Sequence, residues 1–179
     1  MIGANNKILV SVDISQKEKI SLNGNDFYTS KEFSHNRRES NPTLCKVVNG
    51  NTYISHGTYL IVHHNRFVEH SPHHVVDNIY SLEWNESIFA KLDENGDAYS
   101  VCDNIIVDYV FEENLLLPEQ QRKPHKNKYK VKRKGFGFNE GQYVFAYDFA
   151  NYEIVYVWKG VEKRVVKLVK RDIVAKVVN

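Results

Sequence analysis

The chain has 179 residues and a mass of 20.9 kDa, with 42% apolar, 26% charged and 12% aromatic residues. That length suits one sizeable domain or two small ones, and 11 tyrosines and 9 phenylalanines against 4 prolines and 9 glycines exclude a disordered or low-complexity chain. The formal net charge of +2 conceals a division: residues 1–111 hold 9 Lys and Arg against 14 Asp and Glu, a balance of −5, and residues 112–179 hold 15 against 8, a balance of +7.

Taken in chain order, the sequence opens on Met1-Ile2-Gly3-Ala4-Asn5-Asn6-Lys7, which has no basic segment followed by an apolar stretch and a cleavage site. No later apolar run approaches the roughly 18 residues of a membrane-spanning helix, so a soluble cytoplasmic protein without a membrane partner is expected. Residues 7–14 alternate Ile8, Val10, Val12 and Ile14 with Leu9, Ser11 and Asp13, the period-two pattern of a strand with one buried face. Residues 15–42 are polar with weak alternation and read as a long irregular loop, a kind of segment that is usually functional. Strands are predicted at 43–48, 58–64, 87–92, 98–101 and 104–111, with a turn at Asp93-Glu94-Asn95-Gly96-Asp97. A second irregular stretch covers 112–128. Further strands follow at 129–136, 142–148, 152–158, 161–169 and 172–178, two of them joined by the two-residue loop Lys159-Gly160. No amphipathic helix longer than about two turns is present, so the class is all-β, a small barrel or sandwich.

The two halves resemble each other. Gly57-Thr58-Tyr59-Leu60-Ile61-Val62-His63, a hairpin at Asn95-Gly96 and Asn104-Ile105-Ile106-Val107 are matched by Gly141-Gln142-Tyr143-Val144-Phe145-Ala146-Tyr147, a hairpin at Lys159-Gly160 and Asp172-Ile173-Val174-Ala175. The segment 103–110 also resembles the opening strand, and can close one unit and open the next. Both irregular stretches follow the first strand of their unit, which points to a shared use.

Several residue groups invite chemistry. Cys45 and Cys102 lack any Cys-x-x-Cys partner and read as buried reduced thiols. His63, His64, His70, His73 and His74 are dense enough to hold a metal, but His63 and His64 on one strand would face opposite ways, and a solvated loop that charges as pH falls towards 6 is the simpler reading. Residues 122–134 hold eight Lys or Arg and no acid, with Tyr129 inside and Phe136 just beyond. Such a mixture suits single-stranded nucleic acid, or a solvated loop running into an edge strand whose lysines deter aggregation. The nucleophile elbow, phosphate loop, dinucleotide fingerprint and His-Glu-x-x-His are all absent, and Asp93 and Asp97 sit in a turn, so no catalytic residue, metal or cofactor is expected.

The order of features resembles the GroES co-chaperonin family. Asn114-Leu115-Leu116-Leu117-Pro118 looks like that family's apolar loop tripeptide followed by proline, Arg122-Lys123-Pro124 like its following Lys-Pro element, and Asp172-Ile173-Val174-Ala175 like its closing strand. The front half is similar to phage-associated GroES-like proteins through Asn36-Arg37-Arg38-Glu39-Ser40-Asn41-Pro42 and Leu60-Ile61-Val62-His63-His64-Asn65. Its tripeptide becomes Ile20-Ser21-Leu22, followed by Asn23 in place of proline, and the glycine-rich turn of the back half is reduced to Gly135-Phe136-Gly137.

The resemblance implies two fused small GroES-like β-barrel modules with long irregular loops, at 1–102 and 103–179, with 103–111 open to sharing. It also implies a homo-oligomeric ring that caps a GroEL-like chaperonin ring through Leu115, Leu116 and Leu117, and more weakly through Ile20 and Leu22. Three consecutive leucines in an extended segment cannot all face inward, so either a partner takes one or they seal their own module. The alternatives are a phage virion or assembly component on the same modules, and a single-stranded nucleic-acid-binding barrel.

Overall fold

The computed structural model describes residues 6–12, 19–22, 25–28, 38–39, 43–67, 71–112, 118 and 122–177. They are all-β; their helical turns are two short 3₁₀ segments, His64–Phe67 and Lys170–Asp172. The front half supplies β1 (Lys7–Val12), β2 (Lys19–Leu22), β3 (Asn25–Tyr28), β4 (Arg38–Glu39), β5 (Thr43–Asn49), β6 (Tyr59–Val62), β7 (His74–Val76), β8 (Ile79–Glu83), β9 (Ile88–Leu92) and β10 (Ala98–Tyr99). The back half supplies β11 (Asn104–Phe111), β12 (Pro124–Val131), β13 (Tyr143–Ala146), β14 (Tyr152–Trp158), β15 (Val161–Val169) and β16 (Ile173–Lys176).

Two seven-stranded sheets result, ordered β10-β9-β6-β5-β1-β8-β7 and β16-β13-β12-β11-β15-β14-β4, with β2 and β3 as a separate hairpin. Every pairing is antiparallel except β4 with β14. Without the outermost strands β10 and β4, the two orders superpose strand for strand. The agreement extends to single hydrogen bonds. Val47 N donates to Thr58 O and Gly57 N to Val47 O, each at 2.8 Å, and Val131 N donates to Gln142 O and Gly141 N to Val131 O at the same length. Gly57 and Gly141 both hold a positive φ, of 85° and 80°, a conformation that an L residue disfavours. The register shifts between Ile61 and Val62 against β9, and between Phe145 and Ala146 against β16, so even a bulge repeats.

This register revises the alignment of the halves. The counterpart of the β14–β15 hairpin is β7–β8, and the counterpart of β16 is β9; the Asn95-Gly96 hairpin to β10 is an addition of the front half. β7 and β8 escape the period-two reading because β7 is exposed throughout and β8 buries only Leu82. Within the described residues β11 pairs with β12 and β15, both in the back sheet. The stretches read as irregular contain structure: β2, β3 and β4 lie within 15–42, and β12 begins at Pro124, paired with Phe111. The basic run is also no edge strand, since β12 lies between β13 and β11.

Each sheet has its own apolar interior. In the front one Ile8, Val10, Val47, Leu60 and Leu82 are at most 1% exposed; Ile105, Val107, Val131, Val144 and Leu168 fill the corresponding places of the back one. Full burial of such a side chain contributes about 1.5–3 kcal/mol. Where the front has Cys45, the back has Tyr129, whose buried hydroxyl donates to Lys126 O at 3.0 Å and meets Asn151 Oδ1 at 3.1 Å. A third cluster joins the modules: Leu44, Ile61 and Leu92 pack against Ile106, Ile154 and Trp158.

Candidate docking surfaces

The junction between the modules is where burial departs most from strand alternation. Leu60, Ile61 and Val62 are consecutive and all fully buried: Leu60 and Val62 face the front interior, while Ile61 faces the back module. Polar groups then fix the docking. Lys167 of β15 is 5% exposed; its Nζ donates to Asn104 Oδ1 at 2.8 Å and lies 4.5 Å from the centroid of the Phe89 ring. Asn104 Nδ2 donates to the carbonyls of Glu86 and Ile88, at 3.0 and 2.8 Å, so one amide ties the first strand of the back module to the front one. At the other end Lys163 meets Asp97 at 2.8 Å and Tyr59 packs edge-on against Trp158. An open cleft of about 1090 Å³ runs beside this contact, lined among others by Lys46, Tyr59, Asp93, Trp158 and Lys159.

Leu115, Leu116 and Leu117 lie outside the described residues. Ile20 and Leu22 stand at alternate positions of β2, paired with Phe27 and Asn25 across the hairpin. The segments that bear these groups connect corresponding strands, β1 to β5 and β11 to β12.

The basic run presents one ordered row. Lys126, Lys128 and Lys130 alternate with Asn127 and the buried Tyr129 along β12, and on the neighbouring strand Tyr143 and Phe145 oppose Lys130 and Lys128. Lys128 Nζ lies 4.8 Å from the Tyr143 ring centroid, and Phe145 is 36% exposed. The basic run is visible in the sequence, but residues 112–128 read there as irregular; both the alternation along β12 and the adjacent aromatic row appear only in the structure.

Among the described residues the histidines do not converge on one point. The His63 and His64 rings stack at 4.8 Å, contrary to the opposite-face expectation, because β6 ends at Val62 and His64 already starts a 3₁₀ turn. His73 Nε2 lies 3.1 Å from an Arg66 guanidinium nitrogen and His74 Nε2 is 2.9 Å from Asp77 O; His70 is outside the described residues. Among the described residues no three His, Cys, Asp or Glu side chains gather as metal ligands would.

Several titratable groups are displaced from their ordinary values. Burial pushes up the free thiols Cys45 and Cys102, the latter to about 12. It pushes the Tyr129 and Tyr156 hydroxyls up to about 12 as well. The Asp97 amide, above all, holds the Asp93 carboxyl below its usual range. Each of these shifts leads away from the neutral range that acid–base catalysis favours. Asp93 Oδ1 accepts from the amides of Asn95 and Asp97 at 2.9 and 2.8 Å, which is turn geometry, as the sequence indicates.

Fold and surfaces together define an all-β protein of two tandem modules that repeat one strand order and share a buried junction. No family model, no curated protein and no solved structure matches the chain. Among the described residues no helix is long and apolar enough to cross a membrane.

Proposed function

We propose that this protein is a non-catalytic cap of the co-chaperonin type, which docks on a chaperonin ring through its loops. One observation carries the reading: both modules interrupt the same strand order at the same place, with one inserted segment joining β1 to β5 and the other joining the corresponding strands β11 and β12. Duplication of a loop site on a rigid scaffold favours multivalent docking, in which modest contacts combine through effective concentration. The tripeptide Leu115-Leu116-Leu117 in the back segment supplies an apolar contact worth on the order of 2 kcal/mol per leucine buried in a partner's groove, less the cost of ordering the segment.

Co-elution of the full chain with a GroEL-type chaperonin, with and without ATP, tests this. The wild type is expected to co-elute, and the variant with Leu115→Ser, Leu116→Ser and Leu117→Ser is expected to lose binding with its melting temperature unchanged. A steep fall in melting temperature would make the leucines part of the module's own core, since truncating a buried leucine costs about 2–5 kcal/mol. Absence of binding by the wild type, with the chain found instead in purified virus particles, would replace the co-chaperonin by an assembly component.

A further inference from the structure

The junction inside the chain has two unlike sides, and the repeat provides each side a second time. On the front module the contact is made by Leu44 and Ile61, a cross-strand pair, with Ala90 beside Ile61 on β9. The same register positions on the back module are Lys128, Phe145 and Ala175. On the back module the contact is made by Ile106 and the cross-strand pair Ile154 and Val165. Their equivalents on the front module are Leu9 and the pair Val76 and Ile79. Phe145 and Ala175 are exposed, Val76 is 54% exposed, and Leu9 and Ile79 are half-buried. Among the described residues the contact is made once, and a second copy of each side has no module set against it.

The charges around the two contacts have opposite sense. Within the chain the front side contributes the acid and the back side the base, as in the pair of Asp97 with Lys163. At the unused sides the order reverses. Lys163 stands two residues before Val165 on β15; two residues before Ile79 stands the exposed Asp77, in the shorter turn that joins β7 to β8. Leu44 is replaced by Lys128, flanked along β12 by the exposed Lys126 and Lys130. The base now belongs to the side of Phe145 and the acid to the side of Val76.

We propose that copies of this chain assemble head to tail, the Lys128–Phe145 face of one copy taking the Val76–Asp77 face of the next in a charge-reversed version of the internal junction. Reversal does more than attract. Two Val76–Asp77 faces set against each other would bring Asp77 towards Asp77, and two Lys128–Phe145 faces would bring Lys128 towards Lys128; both are opposed by like charge. Front and back modules must alternate along the assembly, which also fits the opposite net charge of the two halves. A contact between unlike sides closes into a ring or runs on as a filament, according to the rotation per step. The proposal stands apart from whatever the loops bind.

Sedimentation velocity of the full chain at about 50 mM and about 500 mM salt reads the outcome, because exposed charges are screened over the longer distances at the higher value. The wild type is expected to sediment as a multiple of 20.9 kDa that dissociates in high salt. Lys128→Glu and Asp77→Lys are each expected to weaken association about tenfold or more, and the double variant to regain it. Phe145→Ser is expected to weaken it at about 50 mM salt, where the charges are least screened. All three residues lie on the surface, so the melting temperature of the monomer serves as the control for folding. A wild type that stays monomeric, or a Lys128→Glu variant that assembles undiminished, overturns the proposal. If the monomer instead binds fluorescein-labelled oligo-dT in a salt-dependent way that Lys128→Glu and Phe145→Ser abolish, the lysine and aromatic rows form a single-stranded nucleic-acid site, and the assembly reading is likewise overturned.

Discussion

The hydroxyl of Tyr156, on β14, donates a buried 2.9 Å hydrogen bond to the carbonyl of Gly96, in the hairpin that joins β9 to β10. The bond holds the tip of a front hairpin against the back module, and it explains why a glycine is needed there twice over. Gly96 has a φ of 74°, and a methyl group on its α-carbon would overlap the Trp158 ring.

Gly96→Ala is accordingly expected to destabilise the protein by about 2–4 kcal/mol, from backbone strain and overpacking together. Gly160→Ala offers the comparison: its φ is 82° but nothing lies within 4 Å of the added carbon, so strain alone, about 1 kcal/mol, is expected. Urea unfolding of the two variants measures the difference. Equal losses would show that Trp158 yields to the methyl group at no cost.

Asn104 and Lys167 give a second prediction. Asn104 Oδ1 accepts from the buried ammonium while Nδ2 serves two carbonyls of the front module. Asn104→Ala withdraws all three bonds and is expected to cost about 3–5 kcal/mol. Lys167→Met in that background removes the buried charge and should recover part of the loss. Unfolding of the four members of this cycle is expected to give a coupling of at least about 1 kcal/mol; additive losses would mean that the pair does not act as a unit.

The displaced groups set the shape of the stability profile with pH. Tyr129 and Tyr156 have folded values of about 12 against an ordinary 10.0, so the folded chain retains protons that the unfolded chain releases. Their contribution is complete below about pH 10 and is lost as pH rises towards 12. Asp93 acts at the other end. Its carboxyl is lowered chiefly by the Asp97 amide, so its contribution is present above about pH 4 and is lost as pH falls through the lowered folded value. Thermal unfolding across this range is expected to show both limbs; Tyr156→Phe should flatten the alkaline limb and Asp93→Asn the acid one. An alkaline slope that Tyr156→Phe leaves untouched would place the titration elsewhere.

Local patterns made much of the fold legible. The alternation of Ile8, Val10 and Val12 placed β1, and Lys159-Gly160 announced a two-residue hairpin whose φ angles are indeed positive, 50° and 82°. The likeness of residues 57–63 to 141–147 located β6 and β13 as equivalents, because the same glycine and the same cross-strand bonds recur. All of these signals act between residues a few positions apart, where backbone conformation and side-chain alternation are set.

What depended on distant partners was not legible. The hairpin at Asn95-Gly96 looked like the counterpart of Lys159-Gly160 because their turn chemistry agrees, yet the strands beside β1 and β11 decide the matter and assign that place to β7–β8. Lys167 is buried, since the front module covers its strand, a burial that strand period alone does not announce. Lys128 reads as one cation in a basic run; only the β12–β13 register places it where the front module has Leu44 and pairs it with Phe145. The sequence by itself determined an all-β chain built twice, because strand period and turn conformation are local properties. The tertiary structure alone decided which faces meet and which stay uncovered, because burial and charge pairing depend on residues far apart along the chain, such as Asp97 and Lys163, 66 positions apart.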